Sequence, residues 1–224
     1  MAVKRQRGSS SGPEFTRVRR SPKLTVYERS TLHHILDVGT HCHVAHVIDG
    51  RPVATPTLHW RIGEHVYWHG SVASRMLKAT AVHSQVCLTV TLMDGWVLAR
   101  SAFNHSANYR SVMCFGTPVE IVAREEKIAL IRDFTERLFP GRWERLRPLS
   151  NKEINATCVL SLPLTATSAK VRMGPPDDPV RDRAWPVWAG VIPIKERLGR
   201  PVPDALSPPN ARPPRLPTAA RRGG

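Results

Sequence analysis

The sequence of 224 residues predicts one domain that is mainly β with helices, built around a six-stranded antiparallel barrel. Two observations lead to this fold class. The length suits one domain with a sizeable core, and the hydrophobic share of 41% is typical of a globular protein. Segments rich in β-branched residues recur between short turn signals, with helical patterns at the periphery, which favours hairpin-linked strands.

Four helical segments accompany the strands. Residues 25–28 have the pattern of a capping box, which predicts a helix that ends near Val38. A short helix is predicted over 72–82, and a clear amphipathic helix over 124–138 with its apolar residues on one stripe. Residues 150–153 form a second capping-box pattern, which predicts a further helix start.

The strand segments follow one another in hairpin order. Asp49-Gly50 and Asp94-Gly95 are two-residue hairpin signals, and residues 116–118 predict a bulge or a bend. The predicted strands are residues 40–48, 51–62, 65–69, 85–93, 96–103, 109–122, 158–162 and 168–173. About six of these segments are linked by hairpins, which is the pattern of an antiparallel barrel.

The basic charge is concentrated at the two ends of the chain. Residues 1–24 carry a net charge of +6 and residues 195–224 one of +5, out of +15 for the whole chain. Both ends are poor in large apolar side chains, so they are predicted to be disordered, and the folded domain is predicted to span 25–194. Basic tails allow weak contacts with nucleic acid but predict no folded nucleic-acid-binding face.

The cysteines and the hydropathy pattern indicate the compartment. Four cysteines lie far apart among apolar residues and form no CxxC pair: Cys42, Cys87, Cys114 and Cys158. They are predicted to pack in the core as small hydrophobic side chains. The basic N-terminus has no apolar run behind it, and no segment is apolar for the length of a membrane span, so a cytoplasmic protein is expected.

The first segment that could carry chemistry runs from Val66 to Arg75. A strand enters a Gly-Ser turn and then a helix start, where backbone N–H groups and the helix dipole favour an anion. Ser71, Ser74 and Arg75 add hydroxyl and guanidinium donors, and an Arg can hold a phosphate by two parallel hydrogen bonds. The segment is a candidate phosphate cradle, although an ordinary capped helix with an exposed Arg has the same pattern.

A second polar segment precedes an apolar strand between residues 101 and 116. It crowds donors and acceptors that suit a planar heterocycle and a polyol chain. These residues are Asn104, His105, Ser106, Asn108, Tyr109, Arg110 and Ser111. A polar hairpin loop would have the same composition.

Four stretches, in the right order, resemble the FMN-binding split-barrel family related to pyridoxamine 5'-phosphate oxidase, in particular its nitroimidazole-resistance-like subgroup. They are VATPTLH from residue 53, HVYWHGSVASRMLKA from residue 65, NHSANYRSVMCFGTPVEI from residue 104, and the segment from SAKVRM to WAGVIPI over 168–194. Together they cover roughly residues 25–194. The resemblance implies a six-stranded split β-barrel, a homodimer, and FMN in a groove between the two subunits.

The resemblance also implies which residues would contact the FMN. The turn at His69, Gly70 and Ser71, together with Ser74 and Arg75, would hold the phosphate. The other contacts would come from the strand under the flavin, from the polar segment and, for the last two residues, from the partner subunit: Thr55, Thr57, Asn108, Tyr109, Ser111, Lys170 and Arg172.

The resemblance favours an FMN-dependent oxidoreductase of unknown small-molecule substrate, in which the flavin carries the redox chemistry. The second basic cluster that pyridoxamine 5'-phosphate oxidase uses for its substrate is not found, so vitamin B6 synthesis is not expected. The alternatives are a non-catalytic flavin or haem-binding protein and a nucleic-acid-associated protein that uses its basic tails. No dedicated nucleophile with a supporting base stands out.

The histidines form two further groups of candidates. His41 and His43 share one face of a strand near His46, and such a pair could bind a metal or a haem iron. No carboxylate or cysteine on that face completes a site, so no metal is predicted. His59 and His69 lie nearer to the expected flavin and could donate a hydrogen bond or a proton to it, although a structural hydrogen bond is the favoured role for each.

Trp185 and Trp188 lie in or beside the apolar, proline-punctuated stretch PVWAGVIPI. Aromatic side chains in such a segment often cover a neighbouring surface. This segment is therefore predicted to pack at or near the partner subunit.

Overall fold

The computed structural model describes residues 22–81 and 84–214, in which helices flank a large sheet. The helices are α1 (Arg29–Val38), α2 (Arg75–Ala81), α3 (Arg124–Leu138) and α4 (Asn151–Asn155). The strands are β1 (Thr25–Val26), β2 (His41–Ile48), β3 (Arg51–Ile62), β4 (His65–Ser71), β5 (Val86–Leu98), β6 (Ser106–Gly116), β7 (Val119–Glu120), β8 (Thr157–Pro163), β9 (Ala166–Arg172) and β10 (Gly190–Pro193).

The ten strands of the described residues join one antiparallel sheet. Its order is β1-β9-β6-β5-β2-β3-β4-β8-β7, with β10 added beside β5. The predicted fold class, mainly β and antiparallel with helices, is confirmed, but the predicted count of six strands is wrong. Strands β1, β7 and β10 have two to four residues each, too few to show a period in the sequence.

The hairpin of β2 and β3 forms where the Asp49-Gly50 signal predicts it. Both residues lie in the left-handed region, at φ 50° and φ 72°, as a two-residue turn of type I′ requires. The pairing continues without a break along the whole of β2. Because paired side chains lie on the same face of a sheet, this register decides which residues of β3 point into the core.

The second hairpin signal, Asp94-Gly95, is not a turn. β5 continues through it, and a register shift between Met93 and Gly95 marks a β-bulge. A Cβ on Gly95 would lie 2.9 Å from the carbonyl oxygen of Ile192, so this glycine allows β10 to pack closely. The Asp94 carboxylate accepts hydrogen bonds of 2.9 and 2.7 Å from Arg110 of β6. These tertiary contacts override the local turn signal, and the two strands predicted on either side of it are one.

The two predicted capping boxes have different outcomes. At the first, Thr25 belongs to β1 and pairs with Lys170 of β9, so α1 begins after Glu28 without a side-chain cap. The prediction is wrong because strand pairing takes the Thr away from the helix. The second capping box forms as predicted. The Ser150 hydroxyl accepts a hydrogen bond from the Glu153 backbone N–H, and the Glu153 carboxylate accepts one from the Ser150 backbone N–H.

The main core lies on one face of the sheet and is closed by α1 and α2. Its completely buried side chains include Ile35, Val44, Trp68, Leu88, Val112 and Leu160. A smaller cluster of Trp60, Leu130 and Val159 lies under α3, with Phe134 packed against it. The fold therefore has one large core and one separate aromatic cluster beneath its longest helix.

The four cysteines are free, and three of them belong to the main core as predicted: Cys42, Cys114 and Cys158. Cys87 is half-buried. Burial raises the pKa of Cys42 and of Cys114 to about 12, so both thiols stay protonated at neutral pH.

The predicted tails are only partly described. Residues 1–21 and 215–224 lie outside the described residues. Residues 195–214 contain no helix or strand, and nearly all of their side chains are exposed. No helix of the described chain is long and apolar enough to cross a membrane.

Candidate functional site

The sheet face that points away from the main core is the first candidate site, and we call it the outer face. It crosses β3, β2, β5, β6 and β9. One row of directly paired residues on it comprises Pro56, His43, Thr89, Met113 and Ser168. Large apolar side chains are exposed here, such as Met113 (41%) and Leu58 (44%). An exposed sheet face with apolar side chains is suited to contact another surface or a ligand.

Five of the predicted site residues lie together where β6 pairs with β9, four of them on the outer face. In the pairing of β6 with β9, Ser111 is opposite Lys170 and Tyr109 is opposite Arg172. The Arg172 guanidinium donates to Asn108 Oδ1 at 2.6 Å, and Asn108 Nδ2 donates to the carbonyl two residues beyond Arg172 at 3.1 Å. The structure thus brings these five predicted residues together. The Lys170 ammonium makes no ion pair within the described part of the chain.

Thr55 and Thr57 lie on the opposite face of β3. Thr55 pairs with Val44 and Thr57 with Cys42, and both partners are completely buried. Since paired side chains share a face, the two threonines point toward the core. The structure does not bring them to the outer face, where β3 presents Pro56 and Leu58 instead.

The predicted phosphate cradle is the turn between β4 and α2. Ser71 ends β4, and its Oγ accepts from the backbone N–H two residues on at 3.2 Å. The Ser74 N–H donates to the Ser71 carbonyl at 2.9 Å, which closes the turn. Gly70 packs against α2, because a Cβ there would lie 3.0 Å from Leu77 Cδ1. The Arg75 guanidinium is exposed and makes no hydrogen bond or ion pair among the described residues, so its N–H groups can donate to an anion.

His69 contributes its backbone to β4 beside this turn, but its ring points under α3. The imidazole makes edge contacts with Trp60 at 5.7 Å and with Phe134 at 5.0 Å between ring centroids. Burial lowers the pKa of His69, which keeps the imidazole neutral at physiological pH. Its Nδ1 is buried without a hydrogen-bond partner among the described residues.

The three histidines of β2 divide between the two faces of the sheet. His41 and His43 are exposed on the outer face, with ring centroids 6.3 Å apart. His46 is buried on the other face, and its Nδ1 lies 3.1 Å from the Val44 carbonyl oxygen. Within residues 22–81 and 84–214, no three His, Cys, Asp or Glu side chains are grouped as a metal site would need.

A cleft of about 600 Å³ opens at the end of β3, between the C-terminal end of α1 and α3. Its lining includes His59, Trp60 and Arg61 of β3, with Asp37 and Phe134 from the two helices. The sequence predicts no such site, because α1 and α3 are far apart in the chain. The sequence signal at this cleft is His59, for which the sequence favours a structural hydrogen bond over a contact with the expected flavin.

A partly buried ion pair is the other feature that the sequence missed. Arg110 is buried and binds Asp94 in a bidentate manner, and its third nitrogen lies 3.4 Å from His34 Nε2. The hydrogen bonds to Asp94 raise the pKa of Arg110 above its usual value. The sequence places Arg110 in a polar segment at the start of a strand, and in the structure it anchors the bulge of β5 to β6.

The family model of pyridoxamine 5'-phosphate oxidase matches residues 28–171, which is well over half of the chain. The chain belongs to this family. The match begins at the residue before α1 and ends in β9, so it contains strands β2 to β8, the turn after β4 and the predicted site residues except Arg172. The strand order described above is therefore that of a split-barrel protein.

Two solved structures are similar to the chain over nearly its whole length. The flavocytochrome Anf3 from Azotobacter vinelandii has 44% sequence identity and a TM-score of 0.87, over 95% of this chain and 98% of that protein. The FAD and haem binding protein from Mycobacterium smegmatis has 36% identity and a TM-score of 0.81, over 88% and 96%.

A more distant structure supports the fold alone. A protein assigned to 5-nitroimidazole antibiotic resistance, from Bacteroides thetaiotaomicron, has 19% identity and a TM-score of 0.56 over 66% of this chain and 86% of its own. No curated protein sequence matches the chain.

Proposed function

We propose that this chain is a flavin-dependent oxidoreductase of the flavocytochrome type, which binds both a flavin and a haem. The observation that carries the proposal is the similarity, over almost the full length, to a flavocytochrome and to a protein that binds FAD and haem. The sequence alone predicts a flavin and gives haem binding only as an alternative. Haem is included in the proposal because both relatives are described as a flavocytochrome or as binding haem.

The turn after β4 is the proposed phosphate site. Arg75 supports this role because its guanidinium is exposed and unpaired among the described residues. Further hydrogen-bond donors lie beside it, in the hydroxyls of Ser71 and Ser74 and the backbone N–H groups of the turn. An anion with several oxygens can satisfy all of these groups at once.

The outer face is the proposed surface for the flavin ring and for a second copy of the chain. Exposed apolar side chains such as Met113 and Leu58 offer area that a homodimer would cover, and Tyr109 and Ser111 offer hydrogen bonds beside them. Lys170 would approach the flavin from the partner subunit. Trp188 is 62% exposed and could add to the same interface.

We propose FAD as the flavin, in place of the FMN that the single-phosphate pattern predicts. The support is the relative from Mycobacterium smegmatis, which is described as binding FAD and is 36% identical to this chain. The turn after β4 suits either molecule, because both carry a phosphate on the ribityl chain. The flavin that is released from the denatured protein decides between them.

His69 is the residue that would hold the haem iron. Burial lowers its pKa, and a neutral imidazole is the form that binds iron. Its buried Nδ1 has no partner in the described chain, which is unusual for a histidine with a purely structural role. The rings of Trp60 and Phe134 beside it form an apolar wall that a porphyrin could contact.

The roles of the protein residues follow from these placements. A bound flavin would supply hydride and single-electron transfer, and the protein supplies binding, orientation and charge. Arg75 and the serines of the turn hold the phosphate, and the apolar side chains of the outer face exclude water. The positive charge of Lys170 would stabilise negative charge on a reduced ring system.

The test is the visible spectrum of the freshly purified protein, followed by chromatography of what it releases on denaturation. The expected result is a Soret band together with FAD, and His69→Ala should remove the Soret band and leave the flavin bound. His65→Ala, at an exposed histidine of the same strand, is the control. Release of neither cofactor, with no uptake of added FAD, FMN or haem, would refute the proposal.

Oxidoreductase activity requires a separate measurement. The protein should be reduced with dithionite under argon and then mixed with oxygenated buffer. Reoxidation of the flavin within seconds, faster than that of free flavin, is expected for an oxidase-like function. Failure of bound flavin to exchange electrons with oxygen, quinones or ferredoxin would favour the non-catalytic carrier.

A further inference from the structure

Two cations lie side by side on the exposed side of α2, next to the turn after β4. They are Arg75 and Lys78, both exposed, whereas the buried side chains of the helix are Met76, Leu77 and Thr80. Residues three apart on a helix are neighbours on its surface, with about 5–6 Å between their Cβ atoms. The Lys78 backbone N–H donates to the Ser74 carbonyl oxygen at 3.0 Å, so Lys78 lies one helical turn beyond the proposed phosphate site.

Neither cation of α2 is paired. The Lys78 ammonium, like the Arg75 guanidinium, makes no hydrogen bond or ion pair with any residue that the structure describes. By contrast, each arginine of α1 and α3 is bonded to another side chain: Arg29 to Glu64, Arg124 to Asn151, Arg132 to Glu144 and Arg137 to Asp133. The exposed side of α2 therefore holds a surplus of positive charge that an anion can neutralise.

The elements around α2 supply no carboxylate to balance this charge. The helix packs mainly against β2, β4 and β8, and none of these strands contains Asp or Glu. The sequence has no Asp or Glu from residue 65 to residue 93. Glu153, which precedes β8, already accepts hydrogen bonds from Arg147 and Ser150. An anionic ligand at Arg75 and Lys78 therefore meets no like charge from these strands.

FMN and FAD differ at this end of the flavin molecule. FMN ends in one phosphate, whereas FAD continues from that phosphate to a second one and to an adenosine. The proposed site gives the first phosphate to Arg75 and the serines of the turn, so a second phosphate needs another donor beside Arg75. The next two residues of α2 are buried, with Met76 7% and Leu77 1% exposed. Lys78 is therefore the next side chain of the helix that can donate to a phosphate.

We propose that Lys78 binds the second phosphate of FAD, and that this contact makes the site favour FAD over FMN. The inference rests on the proposed flavin site at the turn after β4, to which it adds the residue that separates the two flavins. The Lys78 ammonium donates to oxygens of the second phosphate, while Arg75 holds the first. Lys78 thus determines cofactor specificity and takes no part in the redox chemistry.

The experiment titrates the full-length protein, freed of flavin, with FAD and separately with FMN in a calorimeter. Lys78→Met should weaken FAD binding by about tenfold, through loss of a charge-assisted hydrogen bond, and FMN binding by about twofold or less. Arg75→Ala should weaken the binding of both flavins. The control is Lys195→Met, which makes the same change at another exposed lysine that has no partner in the described chain.

Two further measurements locate the contact. Phosphorus NMR of bound FAD resolves its two phosphates, and Lys78→Met should shift the resonance of the phosphate on the adenosine side more than that of the other. Lys78→Arg keeps a cation at this position and should keep the FAD affinity within about twofold of the wild type. Because Lys78 is exposed, neither substitution removes a contact of the core.

Two results would overturn the inference and leave the flavin site at the turn in place. They are an unchanged FAD affinity in the Lys78→Met variant, and an equal loss of affinity for FAD and FMN. If neither flavin binds the wild type, or if Arg75→Ala weakens neither, the proposed flavin site fails and the inference fails with it.

Discussion

The turn after β4 and the outer face of the sheet are built in different ways. The turn takes its donors from a few consecutive residues, whereas the outer face joins residues from five strands, including Tyr109 and Arg172, which are paired although they are far apart in the sequence. A local site can be read from a short stretch of sequence. A site assembled across strands depends on register, and a shift of one residue would place every side chain on the other face.

The largest expected effect comes from a charge at the centre of the outer face. Met113→Glu should weaken a homodimer by about 100-fold or more, roughly 3 kcal/mol, because the carboxylate would be buried without a partner. Sedimentation equilibrium measures the change. Leu146→Glu is the matched control, since Leu146 is 43% exposed and Met113 is 41% exposed. A Met113→Glu dimer as tight as the wild type would place the dimer interface elsewhere.

At the turn, Arg75→Ala should weaken flavin binding by about 2–3 kcal/mol, through loss of a charge-assisted donor to the phosphate. The fold should survive, because Arg75 is exposed. Flavin fluorescence titration measures the affinity, and a thermal melt checks the fold. The control is Arg124→Ala, which also alters the first residue of a helix. Equal affinity of both variants and the wild type would remove Arg75 from the site.

Acid should destabilise the apoprotein through His59. Its pKa is about 4 in the folded chain and about 6.5 when unfolded, so the unfolded state binds the proton first as the pH falls from 6.5 to 4. The free energy of unfolding should be about 2 kcal/mol lower at pH 5 than at pH 7 from this group alone. Urea titrations test it, and His59→Gln should lose most of the difference. The same pH dependence in that variant would contradict the assignment.

A pair of substitutions compares the two faces of the sheet directly. Ser111→Ala, on the outer face, should weaken flavin binding by about 1 kcal/mol. Thr55→Val, on the core side of β3, should leave the affinity within about 0.3 kcal/mol. Isothermal titration calorimetry on the apoproteins is suitable. The reverse order of effects would mean that the flavin lies on the core side of β3.

The smallest effect is expected at the chain ends. Removal of residues 1–24 and 195–224 should leave the dimer and the flavin affinity unchanged, because these ends are predicted to be disordered. The trimmed protein should lose most of its retention on heparin at low salt. Tight binding of DNA by the trimmed core would instead favour a folded nucleic-acid-binding surface.

The sequence predictions are right where neighbouring residues decide a feature, and wrong where residues that are distant in the chain decide it. The Asp49-Gly50 turn forms because it requires left-handed backbone at both positions, which Asp and Gly can adopt, and because no distant contact competes with it. Asp94-Gly95 carries the same signal, yet it becomes a bulge, because Arg110 takes the carboxylate and β10 packs on the glycine. The cleft at His59 could not be predicted, because its walls come from helices that meet only in the folded chain.

The sequence by itself determined the antiparallel class, the β2–β3 hairpin, the long helix α3 and the position of the turn that ends in Arg75. Each of these depends on residues within a few positions of one another. Only the tertiary structure decided that Thr55 and Thr57 face the core, that His69 lies under α3, and that Thr25 pairs with Lys170 instead of capping a helix. The physical reason is that strand register and helix packing are set by burial of the whole sheet, which no short segment contains.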